Sequence, residues 1–217
     1  MAKYLIHAMP KRMWYVTEYL IPSMIEQGID KENIAVYNDK DYEGNLRACM
    51  KAFASVDDDD KGTWHLQDDV IISSKFKQLT EQYDDGIVCG FKSIYDGDIT
   101  PGFVPIKYMW FSFPCIRIPN HIARECSEWT FTYMIGNLVY EDFWKGGVND
   151  DWMFRRYIES YYKDMKALNL APNIVDHIDY LIGGTVNSNN RTLTQIRSQI
   201  WKDEALVDAL AEKLKQR

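Results

Sequence analysis

The chain has 217 residues, 46% of them hydrophobic and 26% charged, with a formal net charge of -7. That composition suits a globular chain with room for one sizeable core and not two full domains, and the negative balance argues against a general polyanion binder while leaving room for a local basic patch. No stretch is long and apolar enough to span a membrane, and the N-terminus reaches Lys3 and Pro10 too soon for a signal peptide, so a cytoplasmic location is expected.

Taken in chain order, Tyr4 to Ala8 reads as a short apolar strand. Helix-spaced Met13, Val16, Tyr19 and Leu20 follow between Arg12 and Gln27, and Gly28 closes that segment. Ile34 to Tyr37 is a second strand, ending at Asn38-Asp39. A helix is expected from about Asn45 to Ser55, then the acidic run Asp57-Asp58-Asp59-Asp60, then a strand from Trp64 into Asp68-Asp69. This βαβαβ order implies parallel strands with right-handed crossovers, and ligands of such sheets gather outside the carboxyl ends of the strands. Ala8-Met9-Pro10, Asn38-Asp39 and Gln67-Asp68-Asp69 are therefore expected to meet at one crevice.

The second half has another texture. Ser74 to Tyr83 reads as helix and Gly86 to Ser93 as strand. Tyr95 to Pro105 reads as a Gly/Pro/Asp loop without a period. Trp110 to Pro119 is a strand with Pro114 inside it, which predicts an edge or bulged strand. Helical spacing returns from Ile122 to about Met134, and again from Asp150 to about Leu168. Asn173 to Leu181 is a last strand carrying His177. Thr192 to Gln216 is an amphipathic helix, possible in two pieces around Trp201 to Glu204.

The chemistry-bearing residues are few. Asp68 and Asp69 are adjacent acids at a strand end, where mutual repulsion calls for a positive partner, and a divalent cation is the economical candidate. Cys49, Cys89, Cys115 and Cys126 are spread without a Cys-x-x-Cys pair, so reduced, buried thiols are expected rather than zinc. The Asp57 to Asp60 run falls between helix and strand and reads as a solvated loop. His7, His65 and His121 read as core or surface residues, and the Tyr108 to Phe113 aromatics as core.

The order of βαβαβ, acidic strand end, irregular loop, edge strand, acidic helix start and distal His resembles the GT-A glycosyltransferases, and more narrowly small glycosyltransferase-like proteins of bacteriophages. The resemblance covers roughly Tyr4 to Asn190. It implies an α/β, Rossmann-like fold, a mixed sheet flanked by helices, as a 1–190 domain with a C-terminal helical appendage over 191–217. It further implies a nucleotide-diphosphate sugar donor, UDP-linked by preference, and Mn2+ or Mg2+. The family's acidic metal motif falls on Gln67-Asp68-Asp69, with an amide where an acid usually stands. Asp69 would bind the metal, and Asp68 a metal water or the ribose. His177 would complete the shell.

By the same resemblance, Ala8, Met9, Pro10 and Arg12 would line the base and phosphate sites, and Asp39 would accept from an imide N–H of uracil. Read alone, Asn38-Asp39-Lys40-Asp41 is a polar turn. Asp150 or Asp151, with Asp151 preferred, would remove the proton from an acceptor hydroxyl. Both also suit the first turn of any helix capped by Asn149. Arg191, after Gly183-Gly184, would hold the departing diphosphate. The acceptor is open: a phage setting, with the host cytoplasm as location, implies a hydroxymethylated base in DNA. Sugar-phosphate nucleotidyl transfer and a catalytically silent nucleotide-sugar-binding protein stand as alternatives.

Overall fold

The computed structural model describes residues 3–59, 61–92, 101–105, 111–136, 149–182 and 201–216. Seven strands form one mixed sheet. Their ranges are β1 Lys3–Ala8, β2 Ile34–Asn38, β3 Gly62–Gln67, β5 Ile87–Cys89, β6 Gly102–Pro105, β7 Cys115–Pro119 and β8 Lys166–Asn169, in the spatial order β2-β1-β3-β7-β5-β8-β6. The expected parallel unit is present, with β1 between β2 and β3 and parallel to both. β7 then runs antiparallel between β3 and β5, β8 is parallel to β5, and β6 is antiparallel to β8. A separate two-stranded sheet pairs β4 (Val70–Ile72) with β9 (Val175–His177).

Helices cover both faces. A helical run of four segments, Pro10–Arg12, Met13–Tyr15, Val16–Leu20 and Ile21–Glu26, is here called α1. Pro22 has no N–H to give the Glu18 carbonyl, and just ahead of it the helix widens, so that Ile21 N–H reaches back five residues to Val16 O. The others are α2 Asn45–Ala54, α3 Phe76–Gln82, α4 Asn120–Gly136, α5 Asp150–Tyr161, α6 Asp179–Ile182 and α7 Glu204–Lys215.

Strand alternation sorts the core. Tyr4, Ile6, Trp64 and Leu66 pack with Val16, Leu20 and Met24 of α1, Phe76 of α3, and Trp201, Val207 and Leu210 around α7. Ile87, Ile116 and Ile118 pack on the other face with Leu46, Cys49, Met50 and Phe53 of α2, Ile122 and Cys126 of α4, and Met153 and Phe154 of α5. The α2 set recurs at helical spacing, so one stripe of that helix meets the sheet. The C-terminal helix is therefore built into the first of these cores, with Trp201 buried just before it. All four cysteines are buried thiols outside any disulfide.

Four local expectations are corrected. β7 lies inside the sheet and not at an edge, because Pro114 precedes it and Pro119 ends it, so neither must donate within the ladder. Pro114 contributes only its carbonyl, which accepts from Gln67 N–H at 3.2 Å. The helix from Asp150 stops at Tyr161, and Lys166–Asn169 forms β8 between β5 and β6. The end of the expected loop, Gly102–Pro105, is strand β6. The last strand is only Val175–His177, and Asp179 opens a short helix.

Candidate functional site

The site is built where β1, β2 and β3 end. Asp39 N–H donates to Ala8 O at 2.8 Å, and Met9 N–H donates to Asp68 Oδ2 at 2.7 Å, so the three strand ends are tied together by short bonds. After β3 the chain turns through Asp68-Asp69 and enters β4. In the β4–β9 pair Val70 stands opposite His177, and Ile178 N–H donates to Asp69 O at 2.8 Å. This pairing carries His177 from the far end of the chain to the acid pair.

Four side chains meet there. The Arg12 guanidinium lies between the two acids, with Nη2 2.6 Å from Asp68 Oδ1 and Nη1 2.9 Å from Asp69 Oδ2. His177 Nε2 is 3.0 Å from Asp69 Oδ1. All three charged residues are buried, so the desolvation cost must be met within the group. Burial pushes the Asp68 carboxyl up to about 6, with Asp69 adding to the rise and Arg12 and the Met9 N–H opposing it. Burial also works against charge on Asp69, but His177 and Arg12 outweigh it and hold that carboxyl below its ordinary value. The pair thus divides its roles: Asp69 carries the firm negative charge.

The positive partner that the acids require is Arg12. The resemblance offered Arg12 to a phosphate, yet its two terminal nitrogens are engaged with carboxylates. Both Asp68 oxygens are likewise taken, by Arg12 and by Met9 N–H, so Asp68 anchors β1 to the turn rather than offering an oxygen outward. Asp69 Oδ1 and His177 Nδ1 differ from these: both are buried and make no hydrogen bond among the described residues, the 3.0 Å contact to Nε2 being close but off the line of a good hydrogen bond.

Two adjacent ligands on an octahedral Mn2+ or Mg2+, each bonded at about 2.1 Å, stand roughly 3 Å apart. Asp69 Oδ1 and His177 Nε2 have that spacing. No cluster of three or more His, Cys, Asp or Glu suited to a metal occurs among the described residues. The protein's share of a cation shell would therefore be two donors, with phosphate and water supplying the rest. The two donors fit a shell completed by ligand oxygens and do not form a closed structural site.

The remaining expected site residues separate. Asp39 is buried, and its Oδ1 accepts from Glu43 N–H at 3.1 Å, the work of a polar turn. Pro10 opens the first turn of α1, and the Arg12 N–H closes that turn on Met9 O at 3.0 Å. Gln67 ends β3 opposite His7. Arg191 lies outside the described residues.

Asp150 is buried at the start of α5 and accepts from Asn45 Nδ2 of α2 at 2.8 Å, with Cys49 one turn further along that helix also beside it. Burial, reinforced by Asp151, pushes the Asp150 carboxyl up to about 7. Asp151 is half-buried, and its Oδ1 accepts from Trp152 N–H at 2.7 Å. Asn149 has the extended backbone of a cap but makes no side-chain capping bond. The contacts of Asp150 run to α2 and not to the Arg12–Asp68–Asp69–His177 group.

Sequence reading passed over Asp179 and Asn45. Asp179, two residues beyond His177, is buried with Oδ1 3.8 Å from His177 Nδ1. Its signal was an acid opening a helix directly after the His strand. Asn45 carried no signal at all, since its partner is 105 residues away.

The fold and site define an α/β protein with a buried acid, arginine and histidine cluster at the carboxyl ends of parallel strands. No protein-family model matches the chain, and no curated protein matches its sequence. Among solved structures, HddC from Yersinia pseudotuberculosis aligns with 58% of this chain and 80% of its own at 10% identity and a TM-score of 0.32. A likeness that slight assigns neither fold family nor activity.

Proposed function

We propose that this chain is a metal-dependent glycosyltransferase of the GT-A type, moving a sugar from a nucleotide-diphosphate donor, UDP-linked by preference, to an acceptor hydroxyl. The observation that carries the reading is the Asp69–His177 pair, 3.0 Å apart, with one buried atom on each residue that makes no hydrogen bond among the described residues. Asp69 and His177 would hold Mn2+ or Mg2+, and the bound cation would offset the charge that grows on the leaving diphosphate.

The chain's own groups have these roles. Ala8 and Met9 present backbone and an apolar wall at the strand ends, and Arg12 keeps the acid pair in register while adding positive charge beside the phosphates. Asp150 or Asp151 takes the proton from the acceptor hydroxyl. Asp150 has the pKa of a base poised near neutrality, whereas Asp151 has the greater access to solvent. Arg191 would steady the diphosphate. The acceptor is left open; a phage setting, implied by the resemblance alone, would make it a hydroxymethylated base in DNA. Among the described residues no helix is long and apolar enough to cross a membrane.

One observation favours a second reading. Arg12 already neutralises much of the acid pair, so the cluster is also what a catalytically silent nucleotide-sugar-binding protein of the same fold would keep. A thermal-shift panel of nucleotide-sugars and nucleoside triphosphates, each with and without Mn2+, separates these cases. A Mn2+-dependent rise with a diphosphate sugar, together with slow donor hydrolysis, supports transfer. A rise without turnover supports the silent protein, and a preference for triphosphate would replace both with nucleotidyl transfer.

A further inference from the structure

His177 is held at one ring nitrogen and open at the other. Nε2 faces Asp69 Oδ1 at 3.0 Å, while the buried Nδ1 makes no hydrogen bond among the described residues, and Asp179 Oδ1 lies 3.8 Å from it. That separation is too long for a hydrogen bond and short enough for a modest turn of the imidazole to make one. Asp179 is itself well fixed: it is buried, it opens α6, and its Oδ1 accepts from Tyr180 N–H at 3.0 Å. Phe91 also stands near the ring, 6.3 Å between centroids and edge-on.

We propose that Asp179 is a positioning residue that acts through His177, holding the imidazole with its proton on Nδ1 so that the Nε2 lone pair is presented beside Asp69 Oδ1 to a divalent cation. This rests on the metal-dependent reading of the site. A neutral imidazole carries one N–H and one lone pair, and the hydrogen bond made at one nitrogen decides which the other offers. Without Asp179, the Nε2–H form facing the Asp69 carboxylate would have no rival, and the ring would be turned to that acid as a donor and not to a cation as a ligand. A carboxylate behind a ligating His is also the common arrangement for orienting the ring and strengthening its donor nitrogen. The backbone supports the geometry, since Ile178, between the two residues, is bonded to Asp69 O.

The test is Mn2+ affinity by isothermal titration calorimetry on the full chain. The set comprises wild type, Asp179→Asn, Asp179→Ala, His177→Ala and the Asp179→Ala/His177→Ala double variant, each checked for folding by its urea midpoint. Asp179→Ala is expected to weaken Mn2+ binding by about 10- to 100-fold in the wild-type background and to change nothing further once His177 is alanine. Asp179→Asn keeps an oxygen for Tyr180 N–H and for Nδ1–H, so it should lose less and serves as the variant that preserves the fold. Equal losses with and without His177, or no loss from either Asp179 variant, would overturn the proposal. Failure of the metal reading itself is seen separately: wild type would bind no Mn2+, or His177→Ala would bind it as well as wild type, and Asp179 would then have no cation site to serve.

Discussion

The Ile178 N–H donates to the Asp69 carbonyl at 2.8 Å, and this single backbone bond joins two points of the chain more than a hundred residues apart at the place where the acid pair sits. It extends the β4–β9 pairing by one step beyond Val70 opposite His177. The candidate site is thus held by a small two-stranded sheet outside the main one, and the positions of Asp69 and His177 are set by backbone before their side chains interact.

Removal of Arg12 leaves two buried carboxylates without their cation. Arg12→Met is expected to cost about 3–5 kcal/mol of stability, the usual penalty for breaking a buried ion group by one partner. Urea unfolding measures it. Added Mn2+ should raise the melting temperature of Arg12→Met more than that of wild type, since a cation then replaces part of the missing charge.

Asp150 gives a pH signature with a definite sign. Its folded pKa, about 7, lies above the ordinary carboxylate value of 3.8, so the stability it confers is complete below about pH 4 and is lost as pH rises through about 7. Asp150→Asn keeps an oxygen for Asn45 and removes the ionisation. The stability of Asp150→Asn relative to wild type should therefore increase between about pH 4 and 7, by on the order of 4 kcal/mol. A difference that stays flat across that window would place the Asp150 carboxyl near its solution value.

The acidic run divides into residues of unequal weight. Asp57 pairs with Lys3 and Asp58 with Arg124, all at the surface, whereas Asp59 Oδ1 accepts from the buried Asn120 Nδ2 at 2.6 Å. Asn120 in turn accepts from Thr63 Oγ1 at 2.8 Å, so Asp59 supports the junction of β3 and α4. Asp59→Ala should cost about 1–3 kcal/mol by urea unfolding, and Asp57→Ala or Asp58→Ala little that can be measured.

The C-terminal segment is expected to be required for folding. Trp201, Val207 and Leu210 lie in the same core as Tyr15 and Phe76, and Asp203 Oδ2 accepts from Ser74 N–H at 2.7 Å just ahead of α3. Trp201→Ala should destabilise by about 3–5 kcal/mol, read from the urea midpoint. A segment that merely caps the surface would tolerate the change.

Much of the first half of the fold was legible in the sequence because its signals are local. β1, β2 and β3 are apolar runs closed by polar turns, and the stripe of Leu46, Met50 and Phe53 has helical period. The second half misled where one pattern suits two structures. Ile158, Tyr161, Met165 and Leu168 recur at helical spacing, yet the helix ends at Tyr161 because β5 and β6 both need a partner strand, and Lys166–Asn169 supplies it. Pro114 suggested an edge strand, but it stands one residue outside the ladder.

The site was legible in its acids and its histidine, which are rare in such settings. Its cation was not: Arg12 lies 56 residues before Asp68, and only the crossing of β1 beside β3 brings them together. Asp39 and Asp150 were offered for chemistry by the resemblance alone. Their hydrogen bonds to Glu43 N–H and Asn45 depend on loop and helix placement that no spacing rule conveys.

The most direct measurement of the central claim is Mn2+ binding in the presence of UDP, followed by electron paramagnetic resonance of the free ion. The account expects one saturable site in wild type, weakened at least about tenfold by Asp69→Asn and equally by His177→Ala, with both variants folded. Mn2+ affinity unchanged in His177→Ala would contradict it, and the Asp69–His177 contact would then serve the fold alone.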